Sequence, residues 1–271
     1  MKEKLKSLMP QPVKTGIYKA RLSYQRVKRF AFEASHPGSQ FGCNYCGTKM
    51  GAFMPDGEPH QILVDLQVLS AGVREHCRCP HCYSKDRDRL IRFFIERKTH
   101  LLSEPNTVLH FAPEPVVRKW FNSLNNLVYI NADLDPMLAD EVMDITAIPL
   151  QKESVDVVIC NHVLEHIPND GLAMRELFRV MKPGGWAILQ VPISPILDKT
   201  IEDLSDLSHA ERERRFGQRD HVRIYGKDYV ERLMSIGFEV KQIEPSSFLS
   251  DTEIEHHGIL AQETIYFCTK S

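Results

Sequence analysis

The sequence of 271 residues predicts an α/β fold, in which helices cover both faces of a doubly wound, mostly parallel sheet. Four apolar runs between residues 107 and 192 alternate with predicted helices, which favours right-handed crossovers between parallel strands. Two Cys-x-x-Cys pairs precede these runs and predict a small N-terminal zinc module. Hydrophobic residues make up 42% of the chain and charged residues 26%, which is typical of a soluble globular protein.

The predicted elements alternate regularly along the first half of the sheet. Thr107–Phe111 predicts a strand, and apolar residues then recur on one face of a helix from about Val116 to Leu124. Val155–Cys160 is too apolar for a half-exposed strand and is predicted to be central. The other predicted elements are a linking helix from Ser84, strand Leu127–Ile130, helix Gly171–Met181, a stop at Lys182–Gly185, strand Trp186–Val191, a helical insertion Ile201–Phe216, helix Tyr229–Ile236, strand Phe238–Ile243, a mobile connection Ser247–His257 and strand Thr264–Thr269.

One acidic residue has the position of a ribose ligand. Asp133 lies at the end of the second predicted strand, 21 positions after Ala112 in the loop that follows the first. Dinucleotide-binding folds place an acid at this spacing to bind ribose hydroxyls. The sequence therefore predicts a nucleotide-like ligand at the carboxyl ends of the strands.

Two segments carry a family resemblance. Val155–His166, followed by Arg179–Trp186, closely resembles the class I S-adenosylmethionine-dependent methyltransferases. The resemblance implies a seven-stranded Rossmann-like sheet, methyl transfer, and S-adenosyl-L-methionine as cofactor. It also implies that Asp133 holds the ribose, that the turn Asp144-Ile145-Thr146 lies by the adenine, and that Asn161 and His162 face the methionine part and the substrate.

The first loop departs from the family pattern. The family usually has three glycines here, whereas His110, Ala112 and Glu114 belong to a glycine-free His-Phe-Ala-Pro-Glu loop. A side branch of the family, with a zinc-binding front end, has a similar loop, so we expect a variant loop that still binds the cofactor. The alternative is a degenerate domain that acts as a non-catalytic scaffold. A nicotinamide-dependent reductase is disfavoured because it needs the same glycine turn.

The cysteine pairs predict a structural zinc site. Cys43, Cys46, Cys79 and Cys82 form two short loops that suit tetrahedral coordination by four thiolates, with no open position for catalysis. Cys77 remains an alternative to Cys79. Elsewhere in the chain, Cys160 and Cys268 lie in apolar runs and are predicted to pack in the core.

The segment from Phe216 to Gly226 is polar and aromatic, and we expect it beside the substrate, as in the branch that it resembles. Asp220, Arg223 and Tyr225 are the predicted substrate-side residues. The candidate bases are His221, His162 and Tyr225, and His221 is favoured because histidine ordinarily titrates near neutral pH. The alternative is a structural clamp in which Arg223 pairs with Asp220.

The charge distribution leaves nucleic acid open as a partner. Residues 1–100 contain 18 Lys and Arg against 9 Asp and Glu, whereas the remainder contains 16 against 27. An RNA methyltransferase that docks RNA through this basic front end is therefore a second hypothesis.

We predict a basic helical arm over 1–38, the zinc module and linking helix over 39–103, and the methyltransferase domain over 104–271. With no apolar run long enough to span a bilayer, we expect a cytoplasmic location; the methyl acceptor and the oligomeric state stay open.

Overall fold

The computed structural model of the chain describes residues 29–271, and a seven-stranded sheet forms its centre. Most of the predicted arm over 1–38 lies outside the described residues. The part of the arm that is described is helical over residues 29–35. The strands are β1 (Phe41–Gly42), β2 (Lys49–Met50), β3 (Met54–Asp56), β4 (Arg74–Arg78), β5 (Asn106–Phe111), β6 (Leu127–Asp133), β7 (Glu141–Val142), β8 (Val155–Asn161), β9 (Met181–Gln190), β10 (Ile201–Glu202), β11 (Arg223–Ile224), β12 (Glu239–Ile243) and β13 (Ile265–Thr269).

The sheet is mostly parallel, with an antiparallel hairpin at one edge. Its strand order is β12-β13-β9-β8-β5-β6-β7; strands β9 to β7 run parallel, while β13 is antiparallel to both of its neighbours. β8 is buried along nearly its whole length, as its apolar sequence predicts. The predicted fold class is therefore confirmed.

Helices bury both faces of this sheet. One core contains β8 and β9 residues packed against Leu177 and Leu233, and the other packs Ile91, Val117 and Ile254 against the opposite face. The helices are α1 (Gln61–Asp65), α2 (Asp86–Lys98), α3 (Pro115–Phe121), α4 (Asp170–Val180), α5 (His209–Phe216), α6 (Tyr229–Ile236) and α7 (Asp251–His256), and short 3-10 turns occupy Leu164–His166 and Pro245–Ser247.

A buried arginine joins the cysteine-containing region to the sheet. Arg89 of α2 donates hydrogen bonds to the carbonyl oxygens of Ser84 and Cys77 on one side and of His257 and Gly258 on the other. Its guanidinium also lies 3.8 Å from the centre of the Phe53 ring. These four carbonyl groups come from separate segments and share one donor side chain. Arg89 of α2 therefore fixes the cysteine region (residues 43–82) against the segment His257–Gly258 that follows α7.

Three local predictions are wrong. Ser247–His257 is not a mobile connection, because it contains α7, whose first turn is capped reciprocally by Ser250 and Glu253. The insertion Ile201–Phe216 is helical only from His209, and Ile201–Glu202 pairs with β11 instead. The predicted stop at Lys182–Gly185 lies within β9, where the pairing with β8 shifts register.

Among the described residues, no helix is long and apolar enough to cross a membrane.

Candidate functional site

The carboxyl ends of the parallel strands bring most of the predicted cofactor residues into one row. Phe111 of β5 pairs with Ala132 of β6 and with Cys160 of β8, so the residues that follow them lie side by side at this edge. The row continues to β7, because the amide of Met143 donates a hydrogen bond to the carbonyl of Asp133. Open α/β sheets bind ligands in the crevice outside this edge.

The glycine-free loop turns through a left-handed alanine. Ala112 has φ +47°, and its amide donates to the carbonyl of Ala132 at 2.8 Å. His162, which follows the neighbouring strand β8, is also left-handed, with φ +54°. Such backbone costs about 1 kcal/mol or more at a non-glycine residue and is typical of functional sites. Ala112 thus adopts a backbone conformation that ordinarily favours glycine.

Glu114 folds back toward the sheet edge. Its carboxylate lies 3.1 Å from Nε2 of His110 and accepts a hydrogen bond from the amide group of Asn161 at 3.3 Å. His110 is fully buried, and its other ring nitrogen contacts the hydroxyl of Tyr129 at 2.9 Å. Burial opposes ionisation of Glu114, but the contact with His110 outweighs it and the pKa of Glu114 is lowered. A fixed negative charge therefore stands at the strand ends.

Two buried polar atoms at this edge lack partners. They are Oδ1 of Asn161 and Nε2 of His162, and no hydrogen-bonding group of the described residues reaches them. A buried unpaired acceptor costs about 1–3 kcal/mol unless a ligand or water satisfies it. This edge therefore fits a polar ligand.

The acids further along the row form local turns. Oδ1 of Asp133 accepts from the amide of Asp135, and Asp144 is exposed and accepts from the amide and hydroxyl of Thr146. The hydroxyl of Thr146 lowers the pKa of Asp144. Ile145 between them is buried. Both carboxylates keep oxygen atoms free to accept ligand hydroxyl groups.

A polar cavity of about 290 Å³ begins next to His162. Its walls come from four parts of the sequence: the region from β3 to the start of α2, the turn after β8, Pro192 after β9, and the segment before β11. The lining side chains with titratable or cationic groups include Arg74, Arg87, His162, Glu165, His166 and His221. The cavity therefore lies where the cysteine region meets the carboxyl edge of the sheet.

The reason given for His221 as a base is wrong. Burial lowers the pKa of His221 to about 3, with His166 adding to the shift, so this imidazole does not titrate near neutral pH. Burial likewise lowers the pKa of His162 well below its ordinary range and raises the pKa of Glu165 to about 6. His221 does line the cavity, as a neutral imidazole.

The predicted substrate-side role of Arg223 and Tyr225 is contradicted, because both side chains are turned into the protein. Arg223 is 1% exposed and donates to the carbonyls of Leu164, Ile167 and Pro168. The hydroxyl of Tyr225 donates to Asp170 at 2.7 Å. The segment is a clamp on the turn after β8, but its arginine bonds to carbonyls and to Glu202 rather than to Asp220.

Asp220 is the one predicted substrate-side residue that stays accessible. Its side chain is half exposed and lies 3.5 Å from Nδ1 of His166. It also accepts a hydrogen bond from the side chain of Gln218, which lines the cavity. Asp220 therefore lies beside the cavity, at its solvent side.

Four cysteine sulfurs converge in front of the sheet. Sγ of Cys43 and Cys82 are 3.5 Å apart, Sγ of Cys46 and Cys79 are 3.8 Å apart, and all four lie within 4.8 Å of one another. Four sulfurs arranged tetrahedrally at about 2.3 Å from an ion are about 3.8 Å apart, whereas a disulfide needs about 2.05 Å. The donor set therefore fits zinc, and it does not fit disulfides.

Cys77 is not part of this cluster. Its thiol contacts Oδ1 of Asp86 at 3.2 Å and the guanidinium of Arg74 at 3.1 Å, and burial raises its pKa to about 11. The alternative in which Cys77 replaces Cys79 is thus disfavoured by the geometry. Cys160 and Cys268 are fully buried in the sheet core.

Several cavity residues carried no sequence prediction. Glu165 and His166 belong to the segment that resembles the family, yet they were not singled out, although a buried turn after a central strand was the available signal. Arg74 and Arg87 were seen only as part of the basic front end. Their approach to the strand ends depends on tertiary contacts that no local pattern shows.

One family model and several solved structures are similar to part of this chain. Residues 108–189 match the family model of a methyltransferase domain. No curated protein matches the sequence significantly. Similar solved structures include the YcgJ protein from Bacillus subtilis, with 14% identity over 67% of this chain and 94% of that chain at TM-score 0.42.

Two further structures carry the cofactor in their names. A TehB-like SAM-dependent methyltransferase from Corynebacterium glutamicum is 15% identical over 69% of this chain and 88% of that chain, with TM-score 0.41. An S-adenosylmethionine-dependent methyltransferase from Mesorhizobium loti is 12% identical over 62% and 91%, with TM-score 0.44. The match to the methyltransferase-domain family model covers most of the segment from β5 to β9 in the sheet described above.

Proposed function

We propose that this enzyme transfers a methyl group from S-adenosylmethionine to a small polar acceptor that binds in the cavity beside His162. The observation that carries the proposal is the position of this cavity, which adjoins the carboxyl end of β8, next to the row of predicted cofactor residues. Cofactor and acceptor would then meet at one edge of the sheet, as methyl transfer requires.

The residues at the strand ends fit the cofactor. The unpaired Oδ1 of Asn161 would accept from its amino group, and the ionised carboxylate of Glu114 would favour its positive charge. Asp133 would accept the ribose hydroxyls, and Asp144 and Ile145 would border the adenine. When bound, the cofactor supplies an activated methyl group on a sulfonium. The left-handed turns at Ala112 and His162 keep the backbone close to this crevice.

Catalysis in this site depends mainly on orientation. The reacting atoms of an in-line transfer must be held about 3 Å apart and away from water. The turn after β8 supplies one wall of the cavity and is held by Arg223, while the cysteine region supplies the facing wall. His221 and His162 are neutral imidazoles there and can accept hydrogen bonds from an acceptor hydroxyl or amine.

The size and charge of the cavity favour a small acceptor. A volume of about 290 Å³ is at the lower end for small-molecule sites. Arg87 lines this cavity, is largely buried, and has an Nε atom with no hydrogen-bond partner. An acceptor that carries an anionic or carbonyl oxygen would satisfy this donor.

The described part of the basic front end gives little support to RNA docking. Arg74 pairs with Asp86, Arg78 with Asp56, and Arg97 with Glu253. The guanidinium of Arg89 donates its hydrogen bonds to carbonyl groups inside the protein. Because these cations already have partners, phosphate groups would have to compete with them.

We propose that the four cysteines hold a structural zinc ion, because a closed set of four thiolates leaves no position for substrate. We retain the division at residues 39 and 104, because the small sheets β1-β2 and β3-β4 precede α2 and the seven-stranded sheet follows it. A cytoplasmic location stays part of the proposal, since free thiolates persist in reducing compartments.

Calorimetry with S-adenosylhomocysteine tests the cofactor site. We expect binding by the zinc-loaded protein and about 10- to 100-fold weaker binding by Asp133→Asn, which retains the turn to Asp135 but loses a charged acceptor. Asp198→Asn, a substitution at an exposed carboxylate, is the matched control. Absence of heat with the wild type at millimolar ligand would favour the scaffold hypothesis.

A labelling experiment tests the acceptor class. Cell extract is incubated with the enzyme and cofactor labelled in its methyl group, then separated by size with and without nuclease. We expect label in the small-molecule fraction, unchanged by nuclease. Label in a large, nuclease-sensitive fraction would instead support the RNA methyltransferase.

A further inference from the structure

A cluster of one carboxylate and two imidazoles lies on the wall of the cavity. Glu165 and His166 come from the 3-10 turn after β8, and His221 comes from the segment before β11. One ligand atom from each lies within 4.8 Å of the others. The rings of His166 and His221 are also in edge-to-face contact, with centres 4.6 Å apart.

The carboxylate of Glu165 is buried and unpaired. The residue is 1% exposed, and neither of its oxygens has a hydrogen-bond partner among the described residues. Nδ1 of His162 lies 3.5 Å from the carboxylate and Nε2 of His221 lies 4.0 Å from it, both too far for good hydrogen bonds. An unsatisfied buried carboxylate costs several kcal/mol, so this position calls for a further partner.

The nearby arginine does not supply that partner. Arg223 is within the same clamp, but its donors go to the carbonyls of Leu164, Ile167 and Pro168. Those bonds instead fix the turn that carries Glu165. The amide of Val222 also donates to the carbonyl of Glu165, which ties the two ligand-bearing segments together. The cluster is thus held in place without being satisfied.

We propose that Glu165, His166 and His221 bind a first-row divalent metal ion, separate from the zinc of the four cysteines. Imidazole nitrogen and carboxylate oxygen are the donors that Mn²⁺, Fe²⁺ and Zn²⁺ share. Three ligands at about 2.1 Å from one ion are about 3.0–3.6 Å from one another, so the side chains would rotate to bring their ligand atoms closer when the ion binds. His162, whose Nε2 is unpaired, and Asp220, beside His166, are additional donors at the rim.

The three ligands leave positions of the ion open toward the cavity. A water molecule or an oxygen atom of the acceptor would occupy them, close to the strand end where the methyl group is offered. This role of the ion rests on the proposed function, whereas the binding of the ion does not. The cluster of Glu165, His166 and His221 would thus leave coordination positions open, whereas the four cysteines leave none.

Mn²⁺ is the first probe, because it favours carboxylate and other oxygen donors over the thiolates of the zinc site. Zinc-loaded protein is titrated with Mn²⁺ and the free ion is measured by electron paramagnetic resonance; Co²⁺ absorption serves as a second probe. We expect about one Mn²⁺ per chain, and at least about 10-fold weaker binding by Glu165→Gln and by His221→Gln. Glu231→Gln, at an exposed carboxylate, should bind like the wild type.

Thermal unfolding without added metal shows that the variants are folded, and if Glu165→Gln does not fold, His221→Gln carries the test. The proposal is overturned if the wild type binds neither Mn²⁺ nor Co²⁺ beyond the cysteine site. It is also overturned if the folded variants bind Mn²⁺ as the wild type does. These measurements need neither cofactor nor turnover, so their failure is distinct from failure of the calorimetry with S-adenosylhomocysteine.

Discussion

Replacing Arg223 by methionine should destabilise the protein strongly without removing any group that touches substrate. The guanidinium is buried and donates to three carbonyls of the turn after β8, at 2.7, 2.5 and 2.9 Å, and to Glu202 at 3.1 Å. Methionine keeps the unbranched apolar stem and removes all of these donors. Arg223→Met therefore isolates the contribution of the clamp.

The magnitude follows from the groups left behind. Removing one partner of a buried charged network costs about 3–5 kcal/mol, because carbonyls that lose a donor inside the protein stay unsatisfied. Asp170, 3.8 Å from Nε of Arg223, loses a neighbouring positive charge as well. Tyr225→Phe removes one hydrogen bond to the same carboxylate and should cost about 1.5–3 kcal/mol. The arginine variant should therefore be the less stable of the two.

Urea unfolding of zinc-loaded protein, followed by circular dichroism, measures these differences in the free energy of unfolding. Arg214→Met is the control, because Arg214 is exposed and pairs with the surface residue Glu211, so a change within about 0.5 kcal/mol is expected. The clamp interpretation is refuted if Arg223→Met stays within 1 kcal/mol of the wild type while acceptor methylation is lost. That result would support the substrate-side role predicted for Arg223 from the sequence.

Two further substitutions test the cysteine site and a buried acid. Cys46→Ser should lower the zinc content from about one per chain and reduce the free energy of unfolding, whereas Cys77→Ser should retain zinc, as measured by elemental analysis; retention of zinc by Cys46→Ser would contradict the assignment. Burial raises the pKa of Glu263 to about 7, so the folded state loses stability as pH rises from 5 to 8. Over that interval, the free energy of unfolding of Glu263→Gln, measured with urea, should rise by about 3 kcal/mol relative to that of the wild type. The same dependence on pH in both proteins would contradict the burial of Glu263 as the cause.

The parallel sheet was predictable because its strands are marked locally. β5 and β8 are apolar runs bounded by turns, and α6 was predicted with its observed ends at Tyr229 and Ile236. The start of β9 was missed because Pro183 and the glycines after it are ordinary breakers, whereas here the strand passes through them with a shift in register. Short capped elements such as α7 also give too little periodic signal.

The site was predictable only where function follows the topology of the strands. Asp133 and Asn161 end strands β6 and β8, which flank β5 in the sheet, so their approach at one edge follows from the parallel order. His221 lies in an irregular segment and Arg223 in the two-residue strand β11 that follows it, and the direction of both side chains depends on what packs around them. The low pKa of His221 follows from this burial, which its residue type does not reveal.

The same dependence explains why the two halves of the proposed site have different physical origins. The cofactor row is built from strand ends, and its register is fixed by the backbone of the sheet. The acceptor cavity is assembled from separate segments, joined by Arg89 on the side of the cysteine region and by Arg223 on the side of the turn. Acceptor specificity can therefore change through the cysteine region or the segment before β11, while the strand ends keep a common cofactor. In the proposed site, the methyl donor would therefore bind to strand ends whose register the sheet fixes, and the acceptor to segments whose positions depend on tertiary contacts.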